Sequence, residues 1–176
     1  MFQGEYEKAT QYYEEYLETT TKAEDKKGQN TACFHLIRMY TLSADNYEQK
    51  YEWNKSIPFL EKSLQKALFS ENVKAEATAN YRLGLAYKAI GEQDKHITHL
   101  ERYLELCRSL NDLEGLGIAS IALANAYQST NDISKSKKFL EENFSLAEST
   151  NQQIVKAEAS GFLGNSNIRT QVNMQV

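Results

Sequence analysis

The chain has 176 residues, with 20 Lys plus Arg against 24 Asp plus Glu and a formal net charge of −4. A mildly acidic chain has no clustered basic footprint for nucleic acid, and no run of about 18 apolar residues is present to cross a membrane as a helix. One Pro and eight Gly, with abundant Ala, Leu, Glu and Lys, favour an all-α chain.

The first residues, Met1-Phe2-Gln3-Gly4-Glu5-Tyr6, lack a basic region followed by an apolar core, so no secretory signal is expected. Cys33 and Cys107 are two thiols on predicted helices. They suit a reducing, intracellular compartment better than a disulfide framework.

Apolar residues at helical spacing, broken by turn residues, predict helices over 5–22, 27–48, 54–69, 72–90, 93–110, 113–130, 133–150 and 153–167. Gly91 stands where a left-handed residue closes a helix at little cost. Asn111-Asp112 and Asn131-Asp132 are placed to cap the helices that follow. Short loops force consecutive helices into antiparallel hairpins.

Leu83-Gly84-Leu85-Ala86-Tyr87 returns as Leu123-Ala124-Asn125-Ala126-Tyr127 and again as Leu163-Gly164-Asn165, a step of 40 residues each time. A fixed period in this range marks stacked repeats, each burying its apolar face only against its neighbours. Gly84, Ala124 and Gly164 let paired helices approach closely. The copy before is irregular: its second helix carries Trp53, Ser56 and Leu60, but its first helix is longer by about two turns. Gly4 to Ala9, with Tyr13 and Tyr16, reads as a second helix that has lost its first.

These residues resemble the tetratricopeptide repeat, which places a bulky residue, Leu-Gly and Tyr on its first helix, Gly or Asn in the turn, and small and aromatic residues on its second. One copy here is Leu83, Gly84, Tyr87, Gly91, Leu100 and Tyr103; the next is Leu123, Ala124, Tyr127, Asn131, Ser136 and Leu140. His96 and Ser136 stand where that family prefers Ala, and Asn167 where it prefers Tyr. The longer period looks like the branch that includes polarity-complex scaffolds and kinesin light chains. Leu36 to Asp45, Lys74 to Ala86, Leu110-Asn111-Asp112 and Tyr127-Gln128-Ser129 are similar to repeats of a branch found in motile cilia and sperm flagella.

The resemblance implies an α-solenoid of about four helix hairpins over residues 1–168, with 169–176 as a disordered or partner-bound tail. Starting on half a repeat, the chain reads as a fragment of a longer array. The implied protein-binding groove is lined by Thr78, Tyr81, Leu85 and Lys88, then Ile118, Ile121, Asn125 and Gln128, then Glu158 and Asn165. Asn125 and Asn165 offer a donor and an acceptor to an extended backbone. Tyr81, Leu85, Ile118 and Ile121 offer seats for apolar anchors. Tyr81 and Leu85 replace the polar residues by which chaperone-binding relatives clamp a C-terminal carboxylate.

Enzyme chemistry is not expected. His96 and His99 lack a third metal ligand nearby, and His96 occupies a small-residue core position. Cys33 and Cys107 read as buried structural thiols. Glu14-Glu15, Glu24-Asp25 and Glu141-Glu142 diverge by about 100° on a helix and read as solvated surface. Tyr6, Tyr12, Tyr13 and Tyr16 read as core by their spacing, or as an open aromatic face if no helix precedes them. No phosphate loop or nucleophile elbow appears, so no cofactor, metal or small-molecule substrate is expected. The expected function is a non-enzymatic scaffold of the ciliary axoneme, with dynein-arm, docking or doublet-microtubule proteins as partners. The rival is a cytosolic adaptor that binds peptide segments.

Overall fold

The computed structural model describes residues 3–150. Seven helices follow one another: α1 (Gln3–Lys22), α2 (Lys26–Glu48), α3 (Trp53–Phe69), α4 (Val73–Ala89), α5 (Gln93–Leu110), α6 (Leu113–Ser129) and α7 (Ile133–Thr150). Every described element is a helix, as the composition predicts. The expected helix at 153–167 and the expected tail lie outside the described residues. The described residues divide into two compact units, one up to His96 and one from Ile97 onward.

The same two-residue turn recurs along the array. Its first residue is left-handed: Glu24 (φ 53°), Tyr51 (59°), Glu71 (54°), Gly91 (85°), Asn111 (53°) and Asn131 (62°). The N–H of the second residue donates to the carbonyl five residues back, as from Asn72 to Ala67 (2.9 Å) and from Asp112 to Cys107 (3.0 Å). That bond satisfies a carbonyl left over at the helix end. At Asp25, Asn72, Asp112 and Asp132 the same second residue then caps the next helix, whereas Glu52 makes no such side-chain bond. The Gly28, Ala75 and Gly115 N–H groups donate to Asp25, Asn72 and Asp112, each at 3.0 Å.

Three of these turns place a Glu or Tyr where Gly sits most cheaply. Tyr51 is 81% exposed, so its ring has little packing to lose. Tyr51→Gly is therefore expected to stabilise the protein by about 0.5–1 kcal/mol, the left-handed strain relieved less the added freedom of the unfolded chain. Urea unfolding measures it, and a lower midpoint would contradict the strain argument.

The first unit has two apolar clusters. Leu17, Ala32, Cys33, Leu36 and Tyr40 join α1 to α2. Ala44, Ile57, Leu60, Leu83, Ala86 and Tyr87 join α2, α3 and α4. In the second unit, Leu123 of α6 and Leu140 of α7 are closed, at 0% and 1% exposure.

As expected, α2 is long: 23 residues against 17 in α4 and α6. Two interactions show what the extra length does. Tyr87 donates its hydroxyl to Glu61 (3.0 Å) and Tyr127 donates to Glu101 (2.6 Å) on the preceding helix. Each of these rings also carries a lysine from the following helix, Lys95 at 5.0 Å and Lys135 at 4.7 Å. In α2 the lysine contact is doubled: Tyr40, which donates to Glu14 on α1, carries Lys62 of α3 at 5.5 Å, and the added Tyr47 ring takes Lys55 of α3 at 5.9 Å.

Candidate functional site

On α4, Thr78, Tyr81, Leu85 and Lys88 fall on one stripe by their 3.6-residue spacing. Thr78, Leu85 and Lys88 are exposed and Tyr81 is half-buried. On α6, Ile118 is 39% exposed while Ile121, Asn125 and Gln128 are half-buried. Each unit thus presents an outward stripe mixing apolar seats with polar groups. Glu158 and Asn165 lie outside the described residues.

A stretch of this surface on α2 escapes a search at a spacing of 40. Its longer helix shifts the register to 47, which puts Thr31, Phe34 and Arg38 in the places of Thr78, Tyr81 and Leu85. Phe34 is 58% exposed, the largest apolar side chain on the stripes. In the first unit α2 is tied to α4 by Arg82, which reaches Asp45 at 2.5 Å and Glu48 at 2.9 Å.

The acidic pairs lie at the surface, with only Glu142 half-buried. Three of these side chains also make specific bonds: Glu14 accepts from the Tyr40 hydroxyl, Asp25 caps α2, and Glu142 pairs with Arg108 at 2.9 Å. Burial, reinforced by the neighbouring carboxylate, pushes the Tyr87 and Tyr127 hydroxyls up to about 12, so they remain donors at neutral pH. The tyrosines of α1 divide: Tyr13 and Tyr16 are half-buried, but Tyr12 is 63% exposed. The spacing alone assigned that ring to the core.

Both cysteines are free and buried, and burial raises their thiol pKa values. That favours the thiol over the nucleophilic thiolate. Among the described residues no three His, Cys, Asp or Glu side chains gather to hold a metal. His96 is 2% exposed, and its Nδ1–H donates to the Gly84 carbonyl at 2.7 Å. It fills the space that Ser56 and Ser136 occupy in the neighbouring copies, both also buried.

Burial lowers the His96 pKa, the bond to Gly84 opposes that shift, and Lys88 adds to the lowering. The unfolded chain therefore takes up a proton below its ordinary pKa of about 6.5 while the folded chain resists it. The contribution of neutral His96 is complete above that pH and is lost as pH falls through the folded value. Stability is expected to drop as pH falls below about 6.5 in the native protein, and His96→Ser to flatten that drop. Thermal melts over this range test it; an unchanged pH profile in the variant would discount His96.

A cavity of about 730 Å³ opens in the first unit where the added turns of α2 face α1 and α3. Tyr6 and Glu7 from α1, Asn46 and Tyr47 from α2, and Phe59 and Lys62 from α3 contribute to its walls. Its trace in the sequence is the 47-residue step.

Residues 77–110 match the sequence model of the tetratricopeptide repeat. The chain is 30% identical over 166 residues to Tetratricopeptide repeat protein 29 of Homo sapiens, covering 92% of this chain and 35% of that protein. It is 35% identical over 95 residues to the Rattus norvegicus protein of that name, covering 51% of this chain and 20% of the relative. It is 27% identical over 125 residues to the Trypanosoma brucei brucei one, covering 70% and 26%. The chain spans about a third of the length of the human relative. Among solved structures it resembles aspartyl phosphate phosphatase F from Bacillus subtilis (TM-score 0.67, 14% identity, 94% of this chain and 48% of that one). It also resembles the apo form of RapI (TM-score 0.68, 9% identity, 92% and 64%). At such identities the likeness is one of fold alone. The chain carries a tetratricopeptide repeat at residues 77–110, and over most of its length it is similar to part of Tetratricopeptide repeat protein 29.

Proposed function

We propose that this chain is a non-enzymatic protein-interaction scaffold of the ciliary axoneme, contributing to axonemal or dynein-arm assembly and so to ciliary motility. The observation that carries the binding role is the pair of outward stripes, which leave Phe34, Leu85 and Ile118 exposed on helices whose other faces are packed. Exposed apolar groups amid polar ones suit a protein partner. Rigid helices hold them in place, so little ordering entropy is lost on docking. The similarity to Tetratricopeptide repeat protein 29 supports the ciliary assignment, together with the motile-cilium resemblance of Lys74 to Ala86.

The partners are then dynein-arm, docking or doublet-microtubule proteins. The test is to tag the protein in a ciliated cell and extract the cilia with detergent and salt. Retention with the axoneme, and loss of retention in a Leu85→Asp, Ile118→Asp variant that still folds, supports the reading. A wholly cytosolic signal removes the ciliary role and leaves a cytosolic adaptor that binds peptide segments.

A further inference from the structure

We infer that the cavity beside the lengthened α2 is a second docking site, which takes an arginine of a short partner segment together with an acidic neighbour. Its volume, about 730 Å³, is that of a ligand pocket. Its walls come from α1, α2 and α3, apart from the stripes of α4 and α6.

The walls are rich in acceptors because their donors are spent inside the protein. Thr10 donates its hydroxyl to the Tyr6 carbonyl at 2.8 Å, and Ser43 donates to the Met39 carbonyl at 3.0 Å. Gln11 donates Nε2 to Glu15 at 3.1 Å, so its carbonyl oxygen is left. The Tyr40 hydroxyl goes to one oxygen of Glu14 and leaves the other. Glu7 stands two turns before Glu14 on the same face of α1 and makes no ion pair among the described residues.

The aromatic part of the walls suits a planar cation. The Tyr47 ring stacks on Phe59 at 5.6 Å, and Tyr6 is half-buried with no ring partner among the described residues. Lysines of the protein itself show that rings here take cations, Lys62 over Tyr40 at 5.5 Å and Lys55 over Tyr47 at 5.9 Å. A guanidinium brings five donors in one plane and stacks on aromatic faces, whereas an ammonium brings three donors and no plane. Arginine therefore answers both features of the walls.

The acidic neighbour follows from the remaining charges. Lys50 of α2 and Lys62 of α3 line the cavity and are exposed. Glu7 and Glu14 face them from another helix, α1, while Asp45 is engaged by Arg82. An occupant that matches these walls carries a carboxylate beside its arginine. Asn46 is half-buried and its amide makes no bond among the described residues. It offers a donor and an acceptor to the backbone between the two charges. A free guanidino compound would leave the lysines and Asn46 unmatched, so the site favours a segment of chain.

The test is fluorescence anisotropy of a labelled peptide, Ser-Arg-Leu-Glu-Ser, titrated with the native chain to millimolar concentration. Saturable binding is expected. Citrulline in place of the arginine keeps the shape and removes the charge, and it is expected to weaken binding about tenfold or more, as is Glu7→Lys. Glu18→Lys makes the same charge change about 16 Å further along α1, beyond the reach of unscreened charge, and is expected to alter affinity less than about twofold. Deletion of residues 41–47 removes Asn46 and Tyr47 and is expected to abolish binding, with circular dichroism to confirm that the variant folds. The Leu85→Asp, Ile118→Asp variant is expected to bind this peptide as the native chain does, which separates the cavity from the exposed stripes and from the ciliary reading. Absence of saturation, equal binding of the citrulline peptide, or competition by free L-arginine as strong as by unlabelled peptide overturns the proposal.

Discussion

Leu60→Ala is expected to cost about 2–5 kcal/mol of unfolding free energy, the range for truncating a closed leucine whose surroundings cannot collapse. Leu60 is 1% exposed and belongs to the cluster that joins three helices. Its loss removes apolar burial and leaves a void between Ala44 and Leu83. Tyr13 holds the same register position on α1 but is half-buried. Tyr13→Ala removes more atoms, yet it is expected to cost less, because much of that ring is already in water. Urea unfolding followed by circular dichroism compares the two in the protein at high dilution. A larger loss from Tyr13→Ala would break the register on which the repeat reading rests.

Gly115→Ala is expected to destabilise by about 1–3 kcal/mol, although alanine is the better helix former by nearly 1 kcal/mol. A Cβ at Gly115 would lie 2.5 Å from Cys107 Sγ and 2.5 Å from Asp112 Oδ2. Cys107 is fully buried and Asp112 is fixed as the helix cap, so neither yields freely. The first unit contains the remedy. There Ala75 occupies the corresponding place, the residue matching Cys107 is Ala67, and the cap from Asn72 is intact at 3.0 Å. Cys107→Ala with Gly115→Ala rebuilds that combination. The double variant is expected to be more stable than the sum of the single losses by about 1 kcal/mol or more. Additivity within about 0.5 kcal/mol would show that the sulfur is not what the glycine avoids.

The helices and their turns were legible because most turns share one local chemistry: a residue at positive φ, then a capping side chain. Asn111-Asp112 and Asn131-Asp132 announce it. Glu24-Asp25 and Glu71-Asn72 carry it less openly, since Glu is an ordinary helix former. The length of α2 was legible too, but its effect on the surface was not. Phe34 falls in the place of Tyr81 only once the step is taken as 47. The role of Glu14 was hidden for another reason. Its partner Tyr40 is 26 residues away on another helix, and adjacency to Glu15 says nothing about that. Tyr12 shows the limit of periodicity, which groups side chains on a face without saying whether anything packs there.

The extra stretch of α2 has a length with its own logic. Seven residues separate Tyr40 from Tyr47, and at about 100° per residue they rotate the helix to within about 20° of two whole turns. Side chains before and after the stretch therefore keep the same bearing. An insertion of five residues would have swung Ala44 and Tyr47 well away from α3 and exposed them. A copy of this repeat can gain or lose such a block in one genetic step without repacking its neighbours. Deleting residues 41–47 should return α2 to about the length of α4, leave Tyr40 as its one lysine-bearing tyrosine on that face, and close the cavity that the block holds open.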